Sequence, residues 1–480
     1  MITPKELVGL LPPAFDQEYI EGAVVPYFLS AEFTGERPAL PMIDLALSKE
    51  AAAPPHFWGM LYSGWAPNPE EGSTVFIQGY EDRGADNERK KIYMSATTPD
   101  LYAAKYADKV RTFLVRLFAH PGKPLMHEYY ANYFDLYWDL HLGVTGEEIP
   151  AEVREIGTSF TRVLGYWFPT TDIVRESIMR VRELRPVLQK WIDSRVQAVS
   201  DGEIADPEGT FVHYWLKNRG GGEHFRRQDI VFECFHNFLA FSQWGNMFYN
   251  TMALLEGHHG DPTVRSWFSR TMSEGPDETD GGVFNPFDRF VMELFRTISP
   301  NGGSLSTVTT MRGIGDQGAN YAVTPHPTAN RDPGHWSNPE EFDPDRYKSA
   351  PTTVDNDEAK VHQAGLARCP FPPAPFAVSD GRKVELTNSA YGAVYGMVDG
   401  TAYPLCDTAG YAPFGFGYRR CGGEQLTTEF LKEVLRTVWR EQIEFVRLDL
   451  EHPEKLPVSP RTVIDDNLSF RQGEMRVVGE

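Results

Sequence analysis

The stretch Pro413–Gly423, which reads PFGFGYRRCGG, decides more about this 480-residue chain than any other part of it. It is a glycine-rich loop that delivers Cys421 to the start of a predicted helix, where N–H groups and the helix dipole stabilise a metal-binding thiolate. Arg419 offers a cationic fork for a carboxylate, and Gly417 and Gly423 let the backbone approach a flat ligand. The alternative interpretation of this stretch is a simple glycine-rich turn before an ordinary helix. Such a turn would not require Phe, Arg and Cys at fixed offsets, so their presence favours a binding loop.

Two further motifs precede this loop. Glu293–Arg296, ELFR, places an acid and an arginine one helical turn apart. Asn330–Pro333, NRDP, is followed by Pro339–Tyr347, PEEFDPDRY. An acid and an arginine at this spacing are common on any exposed helix, so the pair alone indicates little. The pair becomes informative because it precedes the other motifs in a fixed order along the chain.

These motifs, taken in order, resemble those of the cytochrome P-450 family. The family's haem-binding signature is F-x-x-G-x-R-x-C-x-G, and the chain has each fixed residue of it: Phe414, Gly417, Arg419, Cys421 and Gly423. The resemblance implies that Cys421 binds the iron of haem b, that Arg419 pairs with a haem propionate and that Phe414 packs near the sulfur. A thiolate ligand pushes electron density to the iron and favours O–O bond cleavage.

The resemblance also extends to the upstream motifs, so that motifs cover roughly residues 229–445. In the family, the E-x-x-R pair and the arginine of an F-x-P-x-R-F segment form a buried ion network, and here those roles fall to Glu293, Arg296 and Arg346. The family implies a single, mostly α-helical fold with small β-sheets over residues 1–480. The interval 348–412 is longer than the family usually has, so we expect an inserted lobe there.

Apolar periodicity also predicts a mostly helical chain. Residues 172–196 repeat apolar side chains at helical steps, with Pro186 as a candidate kink. Phe235–Leu255 lacks Asp, Glu, Lys and Arg, but interrupting amides favour a buried helix over a membrane span. The aromatic stretch Tyr129–His141 is expected to be core. Strands are predicted at 306–310 and 321–324, and another helix follows Cys421.

The central helix departs from the family's usual A/G-G-x-D/E-T motif, whose acid and alcohol help to protonate bound dioxygen. The corresponding part of this chain has no acid and no Thr, and its candidate catalytic residues are Ser242, Gln243 and Asn246. Counting back from Pro262 places Asn246 at the threonine position, whereas the apolar run Met252–Leu255 places Gln243 there. In both registers an amide replaces the alcohol, and an amide binds a peroxide oxygen without relaying a proton as readily.

This departure leaves three functions open. Gln243–Met247, QWGNM, is similar to the Gln-Gly-Asn-Met of prostacyclin synthases, and Phe241–Gly245 more loosely resembles allene oxide synthases. Such relatives rearrange or dehydrate peroxides without external electrons, so a hydroperoxide isomerase, dehydratase or peroxygenase is one hypothesis. The leading one is monooxygenation or oxidative coupling of a lipophilic small molecule, with the amides satisfying buried contacts. The third is a haem-binding protein without turnover.

Charge and cysteine content narrow the partners and the compartment. With 46 Lys and Arg against 67 Asp and Glu, the net charge is −21, so the chain as a whole repels nucleic acid and anionic membranes. The four cysteines form no C-x-x-C pair, and the N-terminus lacks the pattern of a signal peptide. We therefore expect a soluble, cytoplasmic protein with no nucleic-acid partner and no transmembrane anchor.

One basic stripe suggests an electron donor. Lys432, Arg436 and Arg440 repeat every four residues and therefore share one face of the predicted helix after Cys421. Together with Arg420 they would form a patch for an acidic ferredoxin, itself supplied by a reductase. The alternative is a solvated face on which these bases pair with nearby acids such as Glu429.

Overall fold

The structure is a computed structural model, and it is mostly helical with short strands. It describes residues 72, 74–75, 88–166, 172–278, 280, 284–300, 304–307, 321–324, 330–331, 336–348, 374–377, 383–386, 395–398, 401–404, 413–414, 421–459 and 462–473.

Helices make up most of the described ranges. In chain order they are α1 (Glu88–Met94), α2 (Ala107–Leu117), α3 (Leu125–Leu142), α4 (Ala151–Tyr166), α5 (Asp172–Asp201), α6 (Phe211–Asn218), α7 (Arg227–Leu255), α8 (Pro262–Ser273), α9 (Pro286–Ile298) and α10 (Glu424–Arg440). Shorter turns are α-helical at Pro99–Leu101, π-helical at Tyr102–Tyr106 and 3-10 at Gly146–Glu148, Pro207–Gly209 and Pro344–Tyr347.

Side-chain caps explain where α8 and α9 begin. The Asp261 carboxylate accepts hydrogen bonds from the N–H groups of Thr263 and Val264, at 2.8 and 3.3 Å. The Asn285 amide oxygen accepts from the N–H of Asp288 at 2.7 Å. In both cases the cap is followed by a proline at the first helical position, where a missing N–H costs nothing.

The helix α7 runs through the hydrophobic core and packs against α3, α4, α5, α8 and α9. Residues on several of its faces are buried, among them Ile230, Phe235, Phe248 and Met252. A helix that is apolar around most of its circumference belongs inside a large protein, because it has no face to offer to water. The absence of charge in Phe235–Leu255 is thereby explained.

The aromatic residues of α3 lie in the same core. Tyr129, Tyr133, Tyr137 and Trp138 are each at most 2% exposed, which confirms the expectation for Tyr129–His141. Tyr129 stacks on Phe248 of α7, with ring centroids 5.1 Å apart. Aromatic pairs of this kind add to the free energy gained from burial alone.

The strands form antiparallel pairs. They are β1 (Ser304–Thr307) with β2 (Tyr321–Thr324), β3 (Ala374–Ala377) with β4 (Lys383–Leu386), β5 (Tyr395–Val398) with β6 (Thr401–Pro404), β7 (Ile443–Arg447) with β10 (Leu468–Gln472), and β8 (Lys455–Ser459) with β9 (Thr462–Asp465). The chain thus combines a helical core with small sheets.

Several sequence predictions change in detail. The helix predicted at 172–196 continues to Asp201 and runs through Pro186. The first strand begins earlier than predicted, at Ser304, because its pairing with β2 starts with Ser304 opposite Thr324. Of the expected lobe at 348–412, the described residues are Lys348 and the paired strands β3 with β4 and β5 with β6. Among the described helices, none is long and apolar enough to cross a membrane.

Candidate active site around Cys421

Cys421 lies just before α10, and the residue is only half-buried. The backbone N–H of Gly423 donates to the Cys421 Sγ at 3.3 Å. The Cys421 N–H in turn donates to the carbonyl of Phe414 at 2.9 Å, so these two signature residues are directly bonded. A sulfur that accepts an N–H at a helix start is in a position that stabilises the thiolate.

Phe414 anchors the loop to α9. Its ring is 8% exposed and meets the ring of Phe295 edge to face, with centroids 4.9 Å apart. Phe295 lies between the acid and the arginine of the ELFR motif, so the two sequence motifs are in direct contact. Gly417 and Arg419, the other two signature residues before the cysteine, lie outside the described residues.

The two glycines after Cys421 have different roles. A Cβ added to Gly422 would lie 2.9 Å from the ring of Tyr93, so only glycine fits beneath that ring. A Cβ added to Gly423 would lie 3.8 Å from the Cys421 sulfur, in ordinary contact with it. Gly423 therefore keeps the space beside the sulfur clear.

The structure brings Glu293, Arg296 and Arg346 together. Arg296 donates from Nε and Nη2 to the two oxygens of the Glu293 carboxylate, each at 2.8 Å. Arg346 Nε donates to Glu293 Oε1 at 3.0 Å. The same carboxylate also accepts from the Tyr347 hydroxyl and the Asp343 N–H, both at 2.9 Å. Glu293 and Arg296 are fully buried, and both oxygens of the Glu293 carboxylate accept more than one hydrogen bond.

The two arginines of this network also bind backbone carbonyls. Arg296 donates to the carbonyls of Pro339 and Glu341 at 2.7 and 2.9 Å. Arg346 shares the Glu341 carbonyl at 2.9 Å, and the ring of Trp336 lies against both guanidinium groups. Burial opposes the charge of Arg296, but the hydrogen bonds and charge of Glu293 outweigh it and raise the Arg296 pKa. The network thus fixes residues 336–347 on α9.

The candidate catalytic residues of α7 differ in their contacts. The Asn246 amide donates to the Pro300 carbonyl at 3.4 Å and accepts from the Asn250 amide at 2.8 Å. Gln243 is half-buried, and within the described part of the chain its side chain has no hydrogen-bond partner. The side chain of Ser242 lies outside the described residues.

A buried polar chain links α1 to α7 and α3, and the sequence did not reveal it. The Tyr93 hydroxyl donates to the Asn237 amide oxygen at 2.9 Å, and the Asn237 amide nitrogen lies 2.9 Å from His141 Nε2. Burial lowers the His141 pKa to about 3 and raises the Tyr93 pKa well above its ordinary value. Both groups are therefore neutral at pH 7. The signal available in the sequence was Asn237 itself, one of the amides that interrupt the apolar stretch of α7.

The indole of Trp244 joins α7 to α10. It stacks on Phe430 with ring centroids 4.2 Å apart, and its Nε1 donates to the Thr427 hydroxyl at 2.9 Å. That hydroxyl donates in turn to the carbonyl of Gly423 at 2.8 Å. The central helix is therefore connected to the glycine whose N–H binds the cysteine sulfur.

The basic stripe of α10 is paired with carboxylates. Lys432 lies 2.5 Å from Asp288, Arg436 lies 2.6 Å from Asp277, and Arg440 lies 2.9 Å from Glu441. Asp288 and Asp277 come from distant parts of the chain, which the sequence of the helix could not indicate. The alternative is met only in part, because Lys432 also lies 3.5 Å from Glu429, but Glu433 pairs with Arg111 and the Lys432 side chain is only 14% exposed. Arg420 lies outside the described residues.

The described residues around Cys421 fit a haem iron. Within the described residues, no group of three or more His, Cys, Asp or Glu side chains is placed to hold a metal ion. A single sulfur beside a glycine that leaves space for a flat group suits an iron held mainly by a macrocycle.

Comparisons with known proteins identify the fold. No protein-family model matches the chain, and no curated protein is significantly similar to it. Among solved structures, cyanobacterial CYP120A1 with bound retinoic acid is 16% identical, with 94% of this chain and 88% of that chain covered and a TM-score of 0.55. The cytochrome P-450 CYP152N1 with myristic acid is 13% identical (90% and 87% covered, TM-score 0.54).

A third solved structure, a variant of cytochrome P-450 OleT in complex with arachidonic acid, is 13% identical, with 92% of this chain and 88% of that chain covered and a TM-score of 0.55. All three similarities extend over nine tenths or more of the chain. The resemblance seen in the motifs and the mostly helical class are therefore confirmed at the level of the fold: this chain has the fold of the cytochromes P-450.

Proposed function

We propose that the chain is a haem-thiolate enzyme of the cytochrome P-450 type, with Cys421 as the iron ligand. The observation that carries this proposal is the Cys421 sulfur, which accepts the Gly423 N–H at the start of α10 on a P-450 fold. Phe414 and Gly423 would border the haem b on this side. From the motif, Gly417 and Arg419 would complete the binding loop, with Arg419 on a propionate.

When bound, a haem with a thiolate ligand supplies the activation of an O–O bond, whether in dioxygen or in a peroxide. The residues of the chain hold and orient this group. The Glu293 network fixes the segment at residues 336–347 on α9, and Phe295 of the same helix packs on Phe414. Phe414, seven residues before the proposed iron ligand, is therefore packed on a helix that the hydrogen-bonded Glu293 network anchors.

The proposed reaction is oxygen insertion into, or oxidative coupling of, a lipophilic small molecule. Retinoic, myristic and arachidonic acids are bound in the three similar structures, and each is a carboxylic acid with a long apolar chain. Lipophilic acids are therefore the first substrates to test. Their binding is read from the spectral change of the haem on titration with each acid.

The proposed alternative is an enzyme that takes its oxygen from a peroxide. The side-chain contacts within α7 support this alternative. The amide of Asn246 is engaged with Pro300 and Asn250, whereas Gln243 has an uncommitted amide in the described part of the chain. We assign to Gln243 the role of binding a peroxide oxygen. Such an amide donates a hydrogen bond but is a poor proton relay.

The deciding experiment has two arms. The purified haem-loaded protein is incubated with polyunsaturated lipid hydroperoxides without reductant, and separately with lipophilic acids, ferredoxin, reductase and dioxygen. Turnover only in the second arm supports the monooxygenase. Rapid turnover in the first arm assigns the peroxide-dependent activity instead.

A carbon monoxide difference spectrum accompanies both arms. The wild-type protein is expected to give the thiolate-type Soret shift, and Cys421→Ser is expected to lose it. A wild-type protein that binds haem without that shift would overturn the assignment of Cys421. Thiolate ligation with no turnover in either arm would support a non-catalytic haem protein.

A further inference from the structure

The peptide group between Gly422 and Gly423 is bonded at both ends. Its N–H, that of Gly423, donates to the Cys421 sulfur at 3.3 Å. Its carbonyl, that of Gly422, accepts a hydrogen bond from the hydroxyl of Thr97 at 3.0 Å. The sulfur and the threonine hydroxyl are therefore connected through one polarisable group.

Thr97 is placed for this contact by the turn that ends α1. Its hydroxyl also lies 3.2 Å from the Met94 carbonyl, but that carbonyl already accepts the Thr97 N–H at 3.0 Å. The Gly422 carbonyl is the nearer of the two acceptors. Thr97 is 3% exposed, so water does not compete for its hydroxyl.

The turn at the end of α1, which carries Thr97, is held in place by several contacts. The Trp215 indole N–H donates to the Tyr93 carbonyl at 3.0 Å, and the two rings stack with centroids 5.3 Å apart. The Tyr93 hydroxyl is bonded to Asn237. Since Gly422 packs against the Tyr93 ring, the backbone of the turn and the glycine peptide are held at a fixed separation.

We propose that Thr97 is a positioning residue that strengthens the hydrogen bond from Gly423 to the Cys421 sulfur. A hydroxyl that donates to a peptide carbonyl polarises that peptide and makes its N–H a better donor. A stronger hydrogen bond withdraws charge from the sulfur, and hydrogen bonds to a ligand sulfur are one of the means by which a protein sets the reduction potential of its iron.

This inference rests on the proposed function, because it concerns the sulfur as an iron ligand. Its consequence is that Thr97 raises the haem reduction potential and weakens the iron–sulfur bond. Thr97 does so without contact to substrate, since it acts only through the Gly422–Gly423 peptide.

The test is Thr97→Val, which keeps the shape of the side chain and removes the hydroxyl. The haem reduction potential is measured by spectroelectrochemistry and the iron–sulfur stretching frequency by resonance Raman. We expect the equilibrium constant for reduction to fall between about threefold and tenfold, a shift of about 30 to 60 mV to more negative potential. The stretching frequency should rise, and Thr97→Ser should restore both values.

The matched control is Thr428→Val. Thr428 is also buried, and its hydroxyl donates to the Glu424 carbonyl at 3.0 Å, away from the Gly422–Gly423 peptide. This variant should leave the potential and the frequency unchanged. An unchanged potential in Thr97→Val, or an equal shift in Thr428→Val, would overturn the inference.

Two further outcomes are distinguished. If Thr97→Val does not fold, Thr97→Ala removes the same hydroxyl and is measured in its place. If the wild-type protein lacks the thiolate-type Soret shift, the proposed function fails and this inference fails with it. A normal Soret shift with no response to loss of the hydroxyl refutes the role of Thr97 alone.

Discussion

Arg346 donates from Nε to Glu293 Oε1 at 3.0 Å, although 53 residues separate the two in sequence. Glu293 is fully buried, and its carboxylate forms ion pairs with Arg296 and Arg346 on two sides.

Removing the charge of Glu293 should therefore unfold the chain at lower denaturant concentration. Glu293→Gln leaves two buried guanidinium groups without their acid, and we expect a loss of about 3 to 5 kcal/mol in the free energy of unfolding. Urea unfolding followed by circular dichroism measures it. As control, Arg471→Gln breaks an exposed pair with Glu444 and should cost less than about 1 kcal/mol. Equal effects of the two variants would contradict a structural role for the network.

A second prediction concerns Gly422. Gly422→Ala places a methyl group 2.9 Å from the Tyr93 ring, which is itself held by its stack on Trp215. Overpacking of this kind should cost about 1 to 3 kcal/mol and reduce haem retention. Gly221→Ala is the control, because its added methyl meets no atom within 4 Å. Full stability of Gly422→Ala would show that the ring of Tyr93 moves freely.

A third prediction concerns the link between α7 and α10. Trp244→Phe keeps the stack on Phe430 but removes the N–H that donates to Thr427. We expect a loss of about 1 to 2 kcal/mol, since a buried hydroxyl loses one of its partners. Trp439→Phe, which keeps its edge contact with Phe268, should cost less. The comparison is made by chemical denaturation, and a larger loss in Trp439→Phe would argue against the link.

Stability should fall in mild acid because of His141. Burial lowers its folded pKa from 6.5 to about 3, so the unfolded chain binds the proton more readily between these values. The stabilising contribution is complete above pH 6.5 and is lost as the pH falls toward 3, by about 3 kcal/mol down to pH 4. His236, with its pKa also lowered to about 3 by burial, acts in the same direction.

The measurement is the free energy of unfolding at several pH values between 7 and 4, for the wild type and for His141→Gln. The variant should be less stable at pH 7 and should lose less stability on acidification. A variant as sensitive to acid as the wild type would assign the effect to other groups.

The amides of α7 should respond differently to substitution. Asn246→Ala removes contacts with Pro300 and Asn250, so we expect a loss of stability of about 1 to 2 kcal/mol. Gln243→Ala should leave stability within about 0.5 kcal/mol of the wild type while slowing hydroperoxide turnover several-fold. If hydroperoxide turnover fell only in Asn246→Ala, peroxide binding would be assigned to Asn246 instead of Gln243.

The sequence predicted the parts of this site that depend on short motifs in a fixed order. Phe414, Cys421 and the acid–arginine pair at Glu293 could be named because their spacing along the chain defines them. The contacts of Tyr93 with Asn237 and of Trp244 with Thr427 could not, because they join residues brought together only by packing. The pairing of Lys432 with Asp288 was missed for the same reason: helical spacing shows which residues share a face, but not which acid a neighbouring helix supplies.

The Glu293 network has a consequence for how the chain can vary in length. It joins α9 directly to residues 336–347, so the intervening segment, which includes β1 and β2, is a loop closed at its base. The entropy of closing a flexible loop grows slowly, by about 0.6 kcal/mol for each doubling of its length. Lengthening the connection between β1 and β2 would therefore leave the base of the loop intact and cost little in stability.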